Sequence, residues 1–513
     1  MNRHVAEACG IDASRFMSLA APRAATLAVA YSLLALLLAV PMLLVEVPMG
    51  VDTLAHLARI HVQAHIADDP DLARLFEVRA DLIPYMGLDW LMTPLARVLP
   101  TLVAGRVFIV LLLWGLVGAT AALQRGVLGR VGFGPLLVGL VGYNALLAWG
   151  FLNYLLGVVG ALLGVAAWHA LRGRPWGVRL LAGAAVSTGL FFVHLLGLVL
   201  YGLAVAAYEA FGLTRPWRAP VRDLARDLGR DGAVLVLQAA PAGFLFLVSA
   251  VPTPYQVDGP AWAWGSKLAV ALSPFLFGTA LGGKDAGPAA AAVCLILLAW
   301  LTLSGALRWN RLLAAPAAAL AVLALVAPFK VQGITFIDLR FPVAAACLAF
   351  AALSAAPSRS RHFTFAAFAL AAALLAQAAS AAATMRACDK QYGELRAALA
   401  LVPRGAVLTP VLEDGPPAPG VACANKDLYR HMPQMVTIER SGYSPDFFAR
   451  TMPVGVREGL TADAQPADAA TFTPGMLPPG GHVLWMHMGR PVPALPGVAV
   501  LYHGSFFDLL AAP

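Results

Sequence analysis

The sequence predicts a polytopic α-helical membrane protein with a small C-terminal α/β domain. Three observations carry that expectation. Of 513 residues, 60% are hydrophobic and 12% charged, against roughly 25% charged in a soluble domain, so lipid must be the solvent for most of the chain. The apolar residues fall in runs of about 20, the length that crosses a bilayer as helix. From Arg386 onward Pro and Gly rise and the apolar runs shorten.

Charge distribution orients the spans. The formal net charge is +8, and of 36 basic residues only Lys267, Lys284, Lys330, Lys390 and Lys426 are lysine. Most arginines sit in short segments between apolar runs, the pattern of cytoplasmic anchors, so the basic balance points to membrane topology and not to nucleic acid. Segment 1–24, with Arg3, Arg15 and Arg23, reads as cytoplasmic and carries no evident signal peptide. The first span runs from about Ala25 to Val47, and loop 49–100 then lies outside. A second span, about Thr101–Leu123, returns to Arg125 and Arg130. A third (Val131–Trp149) and fourth (Phe151–Leu171) join through the tight stretch WGFLNY, where Asn144 and Asn153 are expected to satisfy backbone or interhelical hydrogen bonds.

Arg172, Arg174 and Arg179 mark the inside again. Leu180–Phe211 as one helix would be about 48 Å long, well over a hydrocarbon core of about 30 Å. It is therefore expected as two short helices turning near His194, before an interfacial amphipathic helix at Val221–Arg230. Further spans follow at Ala233–Val251, Ala289–Leu307, Leu312–Phe329, Phe341–Ala356 and Phe363–Met385. About 11 spans of this length put the N-terminus in the cytoplasm and the C-terminus outside, in the periplasm if the membrane is a bacterial inner membrane. The domains are thus 1–24, the membrane domain 25–385, and a periplasmic domain 386–513. That last domain is expected to hold a helix at Gln391–Leu401 and strands at Gly405–Leu412, Met435–Glu439, His482–Met488 and Val498–His503. Cys294 and Cys347 lie in apolar runs as small core residues. Cys388 and Cys423 pair if their segment faces an oxidising compartment, which spacing alone does not decide.

The candidate site starts in loop 49–100. Asp52, His56 and Arg59 in VDTLAHLAR are spaced i, i+4 and i+7, on one face of a helix. A carboxylate there can act as a general base or bind a cation, His56 can orient it, and Arg59 can hold an anionic group. The same spacing also describes an amphipathic interface helix with solvated polar residues. His61 and His65 form a second i, i+4 pair without the acidic residue of an HExxH site. Asp68 and Asp69 are candidate ligands for a divalent cation, with a solvated turn or helix cap as the alternative. His194 is an ionisable residue in an apolar segment, a functional candidate by default. Lys267, Lys330 and Arg340 are cations of outside loops; Arg340, in FIDLRFP, can grip phosphate oxygens or instead pair with Asp338.

VDTLAHLAR, with GFLNYLLG and DLRFP more weakly, resembles the GT-C class of integral-membrane glycosyltransferases, in a poorly characterised bacterial branch. The resemblance implies transfer of a sugar from a polyprenyl-phosphate donor to a glycan, lipid or protein acceptor on the outer face. Asp52 would be the catalytic carboxylate of the first outside loop and Arg340 a donor-phosphate ligand. The class often carries a further acidic pair, sometimes with a divalent metal, for which Asp68 and Asp69 are the nearest match. Two other classes fit the composition. A transporter or flippase keeps its substrate groups near the bilayer midplane, where these spans hold almost no charge. A non-catalytic envelope-assembly protein would use residues 386–513 to bind a partner.

Overall fold

A computed structural model describes residues 24–79, 82–212, 221–249, 259–356, 360–415, 418, 423 and 425–512, with short gaps at 450–452, 462–463, 465, 478–479, 491 and 494. The expected anchors Arg3, Arg15, Arg23 and Arg359, together with Cys9 and Asp81, lie outside these residues, as does much of the outer loop expected after the seventh span.

The chain is mostly helical. Among the described residues six helices are long and apolar enough to cross a membrane, and four shorter apolar helices accompany them. The first is α1 (Ala24–Leu43). Short elements then build the expected outside loop: α2 (Thr53–His65), α3 (Pro70–Leu75), β1 (Phe76–Val78) and α4 (Gly87–Val98). The long helix α5 (Thr101–Leu128) follows, ending on Gly129 in the left-handed conformation, which glycine adopts without a Cβ penalty.

Where a third continuous span is expected, the chain is broken. A 3-10 turn leads into α6 (Val138–Gly142) and then α7 (Ala145–Ala148). Asn144 makes the break: its amide donates to the Val141 and Gly142 carbonyls at 2.8 and 2.9 Å and its oxygen accepts from Leu147 N–H at 3.0 Å. α8 (Leu152–Ala170) follows. The long apolar segment does divide at His194, into α9 (Trp176–Val193) and α10 (Leu195–Gly212). The expected interfacial helix continues further than its amphipathic stretch, as α11 (Val221–Leu237), and leads to α12 (Ala240–Val248).

The remaining elements are α13 (Lys267–Leu272), α14 (Gly287–Leu303), β2 (Leu307–Trp309), α15 (Arg311–Val326), α16 (Pro342–Ala351) and β3 (Leu353–Ala355). Expected as a full span, α16 has 10 residues, about 15 Å of helix. It stops because Gln124 holds the Ala351 and Leu353 carbonyls at 3.3 and 2.9 Å, and the chain then pairs antiparallel with β2.

The expected domain boundary at Arg386 falls inside a helix. α17 (Ser360–Leu399) is one 40-residue helix, Ala-rich and without proline, so nothing in it stops helix propagation. After it come β4 (Leu408–Leu412), α18 (Lys426–Arg430), α19 (Met435–Arg440), β5 (Val454–Val456), β6 (Ala467–Asp468), β7 (His482–Met486), β8 (Ala499–His503) and β9 (Asp508–Ala511). Met435–Glu439, expected as a strand, is helical, because its buried Met435, Val436 and Thr437 face the ends of α2 and α17 and not a sheet. The five-stranded sheet has the order β6-β4-β7-β9-β8, parallel on the β6 side and antiparallel on the β8 side.

Two contacts fasten this C-terminal part to the helices. β1 of the first loop pairs antiparallel with β5, Phe76 opposite Val456. One apolar core also runs without interruption from Leu34 and Leu57 through Met385 and Leu395 to Tyr429 and Phe507. Outward-facing side chains such as Leu181, Leu247 and Leu303 are left 74, 82 and 88% exposed, as expected of helices whose outer solvent is lipid.

Cys388 and Cys423 form a disulfide with their Cα atoms 5.4 Å apart, while Cys294 and Cys347 are free and buried. Digestion of freshly isolated protein without reductant, followed by mass spectrometry, is expected to recover a peptide pair linked through Cys388 and Cys423. Recovery of both as free thiols contradicts the assignment.

Candidate active site

Asp52 is seated by backbone. Val51 and Asp52 N–H donate to the Ala148 and Trp149 carbonyls at 2.9 and 3.1 Å. Gly150 makes this approach feasible: its φ is +77°, and a Cβ there would lie 2.7 Å from Asp52 N and 2.8 Å from Thr53 N. Gly50, at φ +152°, lets the other chain come equally close, since a Cβ would stand 3.0 Å from the Leu147 carbonyl. The WGF turn between α7 and α8 thus clamps the start of α2. Asp52 occupies the N-cap position of α2, yet its side chain makes no capping hydrogen bond, although Asp is among the preferred capping residues. Its carboxylate is left for other use.

That carboxylate faces His431, with Oδ1 3.6 Å from Nε2. His431, just after α18, is 6% exposed, and its Nδ1 lies 3.6 Å from Asp446 Oδ2. Ser444 donates its hydroxyl to the other Asp446 oxygen, and the Phe448 ring packs edge-on against the imidazole at 4.7 Å. The result is an Asp52–His431–Asp446 line joining the first loop to the C-terminal part. Both contacts to His431 exceed hydrogen-bond length, and His431 Nδ1 and Asp446 Oδ2 are buried without a hydrogen-bond partner. Asp52 is enclosed by protein while 24% of its side chain stays open, so one face of the carboxylate is reachable. Burial raises its pKa above the usual carboxylate value; the charges of His431, Arg340 and Arg430 oppose this, and Asp427 adds to it.

Arg340, whose charge also reaches Asp52, lies in a 3-10 turn (Asp338–Arg340) ahead of α16. Its guanidinium carbon lies 4.7 Å from the Phe151 ring centre and 5.4 Å from that of Tyr154. Its Nε donates to the Phe336 carbonyl and its Nη1 meets His194 Nε2, each at 3.3 Å. The Tyr154 hydroxyl donates to the Arg340 carbonyl. His194 in turn packs edge-on against Tyr85 and Tyr154. Among the described residues no carboxylate forms an ion pair with Arg340. Asp338, the partner allowed for from sequence, is taken by Lys267, whose Nζ lies 2.5 Å from Asp338 Oδ2 and 2.7 Å from the Ala327 carbonyl. Lys267 is therefore a partly buried counterion to Asp338, the first residue of the Arg340 turn. Lys330 is fixed through its backbone to Ala261.

The other sequence candidates move to different work. Arg59 is fully buried and forms a two-pronged ion pair with Asp89, at 2.7 and 3.0 Å. It is the counterion that lets α2 pack on α4, and it has no open face for a substrate anion. His56 lies beneath the Asp52 turn, its Nδ1 3.3 Å from Arg59 Nη1. It also has a hydrogen bond with the Gly150 backbone; burial, then Arg59 and His431, hold its pKa well below the ordinary value. It is a neutral packing residue, and the imidazole that faces Asp52 is His431. Asp69 caps α3, accepting from Asp71 N–H at 3.0 Å, and pairs with Arg404 and Ser441 at 2.7 and 2.6 Å. Asp68 is exposed beside it. Among the described residues no three His, Cys, Asp or Glu side chains gather as a metal-holding group. His431 and Asp446 had no sequence signal, since nothing in RHMPQ or SPDFF distinguishes them from turn residues.

No family model matches the chain, and no curated protein does. Among solved structures, the crystal structure of ArnT from Cupriavidus metallidurans in the apo state is similar at 13% identity over 96% of this chain and 98% of that one, with a TM-score of 0.45.

The buried pair gives a test that separates packing from substrate binding. Arg59→Gln or Asp89→Asn leaves one charge buried alone and is expected to destabilise the protein by about 3–5 kcal/mol, read as a lowered unfolding midpoint in detergent. Unchanged stability with lost ligand binding would return Arg59 to the substrate.

Proposed function

We propose that the chain is a GT-C-like glycosyltransferase of a bacterial cytoplasmic membrane. It moves a sugar from a polyprenyl-phosphate donor to an acceptor hydroxyl on the outer face, with Asp52 as general base. One observation carries the reading: an uncapped carboxylate of raised pKa, open on one side, stands where the charge of a carboxylate-free arginine reaches it. The base fits the acceptor and the arginine fits the donor phosphate.

The chemistry balances without a further reactant. The acceptor hydroxyl gives its proton to Asp52 and its oxygen attacks the sugar's anomeric carbon. The bond from that carbon to the phosphate oxygen breaks, and polyprenyl phosphate leaves with the electron pair. Arg340 compensates the charge that develops on the leaving phosphate, in a site where burial makes such compensation effective. Lys267 acts at one remove by neutralising Asp338, so that Arg340 keeps its charge for the ligand. His431 and Asp446 hold the far side of Asp52 and tune its basicity. Phe151 and Tyr154 fix the guanidinium plane.

The Cys388–Cys423 disulfide supports an outside location for the C-terminal part, since disulfides persist in oxidising compartments. Asp52, His431 and the disulfide then share one side of the membrane. About 11 crossings of standard length, the cytoplasmic N-terminus and a periplasmic C-terminal region of about 125 residues, an ordinary domain size, belong to the same proposal.

The test is transfer by the purified protein in lipid nanodiscs, with a polyprenyl-phosphate sugar as donor and envelope extract as acceptor. Asp52→Asn is expected to lower the rate by about 10²–10⁴ with unchanged expression and unfolding midpoint; full retained activity contradicts the assignment. Because Asp52 must be deprotonated and its pKa is raised, the rate should fall as pH drops through that raised value. His431 pulls the pKa down, so His431→Ala should move this acid limb to higher pH. An unmoved limb would reduce His431 to packing.

A further inference from the structure

A second site lies on the far side of α2. Asp52 and His61 are separated by about two and a half helical turns, which puts them on opposite faces. There a cavity of about 800 Å³ opens between α2, α4, the start of α5, the end of α17 and α19, within the size range of ligand sites. Its charges are uneven. Arg396 is neutralised by Glu439 at 2.7 Å and by Glu46. Arg97 and Arg106 line the same cavity, and among the described residues neither is paired with a carboxylate. Arg106 Nη1 donates to the Val45 carbonyl at 2.6 Å, while its Nε is buried with no hydrogen-bond partner. His61 is bonded to Thr101 at 2.8 Å, and burial together with His65 pushes it down to about 4, so it adds no charge near neutrality. Three guanidiniums against two carboxylates leave the lining one positive charge in excess, and both carboxylates are engaged by Arg396, away from Arg97 and Arg106.

Apolar side chains line the cavity where α4 gives way to α5: Val98, 76% exposed, with Leu99, Leu102 and Val103. Further back on α4, Trp90 and Leu91 are 50 and 55% exposed. An interfacial helix with a tryptophan and an uncovered apolar face lies where acyl chains meet headgroups.

We propose that this cavity seats an anionic phospholipid of the surrounding bilayer, its phosphate between Arg97 and Arg106 and its chains along Val98, Leu102 and Val103 at the start of α5. The opposite wall is Arg396, Ile438 and Glu439, so the lipid bridges the helices to the C-terminal part. The site is independent of the Asp52 chemistry, and Asp52→Asn should leave it intact.

The experiment is native mass spectrometry of the full chain, delipidated in detergent and titrated with phosphatidylglycerol or phosphatidylcholine. Wild type is expected to retain phosphatidylglycerol in preference to phosphatidylcholine. Arg97→Gln should weaken retention about fivefold, and Arg97→Gln with Arg106→Gln about 25-fold, taking each cation at its usual worth near a lipid surface. Arg97 is exposed, so its variant should fold even if the double one does not. Equal retention of the two lipids, or undiminished phosphatidylglycerol binding by Arg97→Gln, overturns the proposal. So does displacement of the lipid by millimolar inorganic phosphate, which would make the site one for a free anion.

Discussion

The arrangement depends on two stretches of backbone meeting at van der Waals distance. The turn after α7 and the start of α2 touch at Gly150 and Gly50, and two hydrogen bonds, from Val51 and Asp52 to the Ala148 and Trp149 carbonyls, close the joint. A side chain at Gly150 would collide with main-chain atoms, which cannot move aside as a flexible side chain can. This clamp makes Asp52 a fixed point of the helical bundle. Beneath it the Arg59–Asp89 pair holds α2 on α4, so the first loop behaves as part of the bundle.

Electrostatics then follow from placement. Asp52 faces His431 and feels the charge of Arg340, both nearly buried and neither hydrogen-bonded to it. Burial raises the carboxyl's pKa, and the electrostatic effect of His431, Arg340 and Arg430 restrains that rise, the balance the proposed base would need to be both ionised and basic. Lys267 completes the pattern by occupying Asp338, the acid nearest in sequence to Arg340. The arginine is thereby held by aromatic faces and a carbonyl and keeps its charge uncompensated by any carboxylate. A hydrophobic bundle tolerates such a group only where a ligand or water completes it.

Much of the helical pattern was legible because apolar runs and their breaks are local. The division of α9 from α10 at His194 follows from length and from the arginines flanking the segment, and α5, α8 and α14 follow from composition. The failures have tertiary causes. α6 and α7 break because Asn144 takes over backbone hydrogen bonds, and α16 stops because Gln124 of a distant helix binds its last carbonyls. Asp52 and Arg340 stood out as charges at the edges of apolar runs. Arg59 and His56 shared a helical face with Asp52, but periodicity cannot say which residues on that face will find a buried partner. His431 and Asp446 were invisible for a plainer reason: His431 reaches Asp52, and Asp446 reaches His431, only through the packing of the 432–434 turn and α19 onto α2.

The most direct measurement is the structure of the protein with a non-hydrolysable polyprenyl-phosphate sugar bound. The account predicts the phosphate against the Arg340 guanidinium and the sugar's anomeric carbon turned toward the open face of Asp52. A donor bound elsewhere, or with its anomeric carbon far from Asp52, would contradict it.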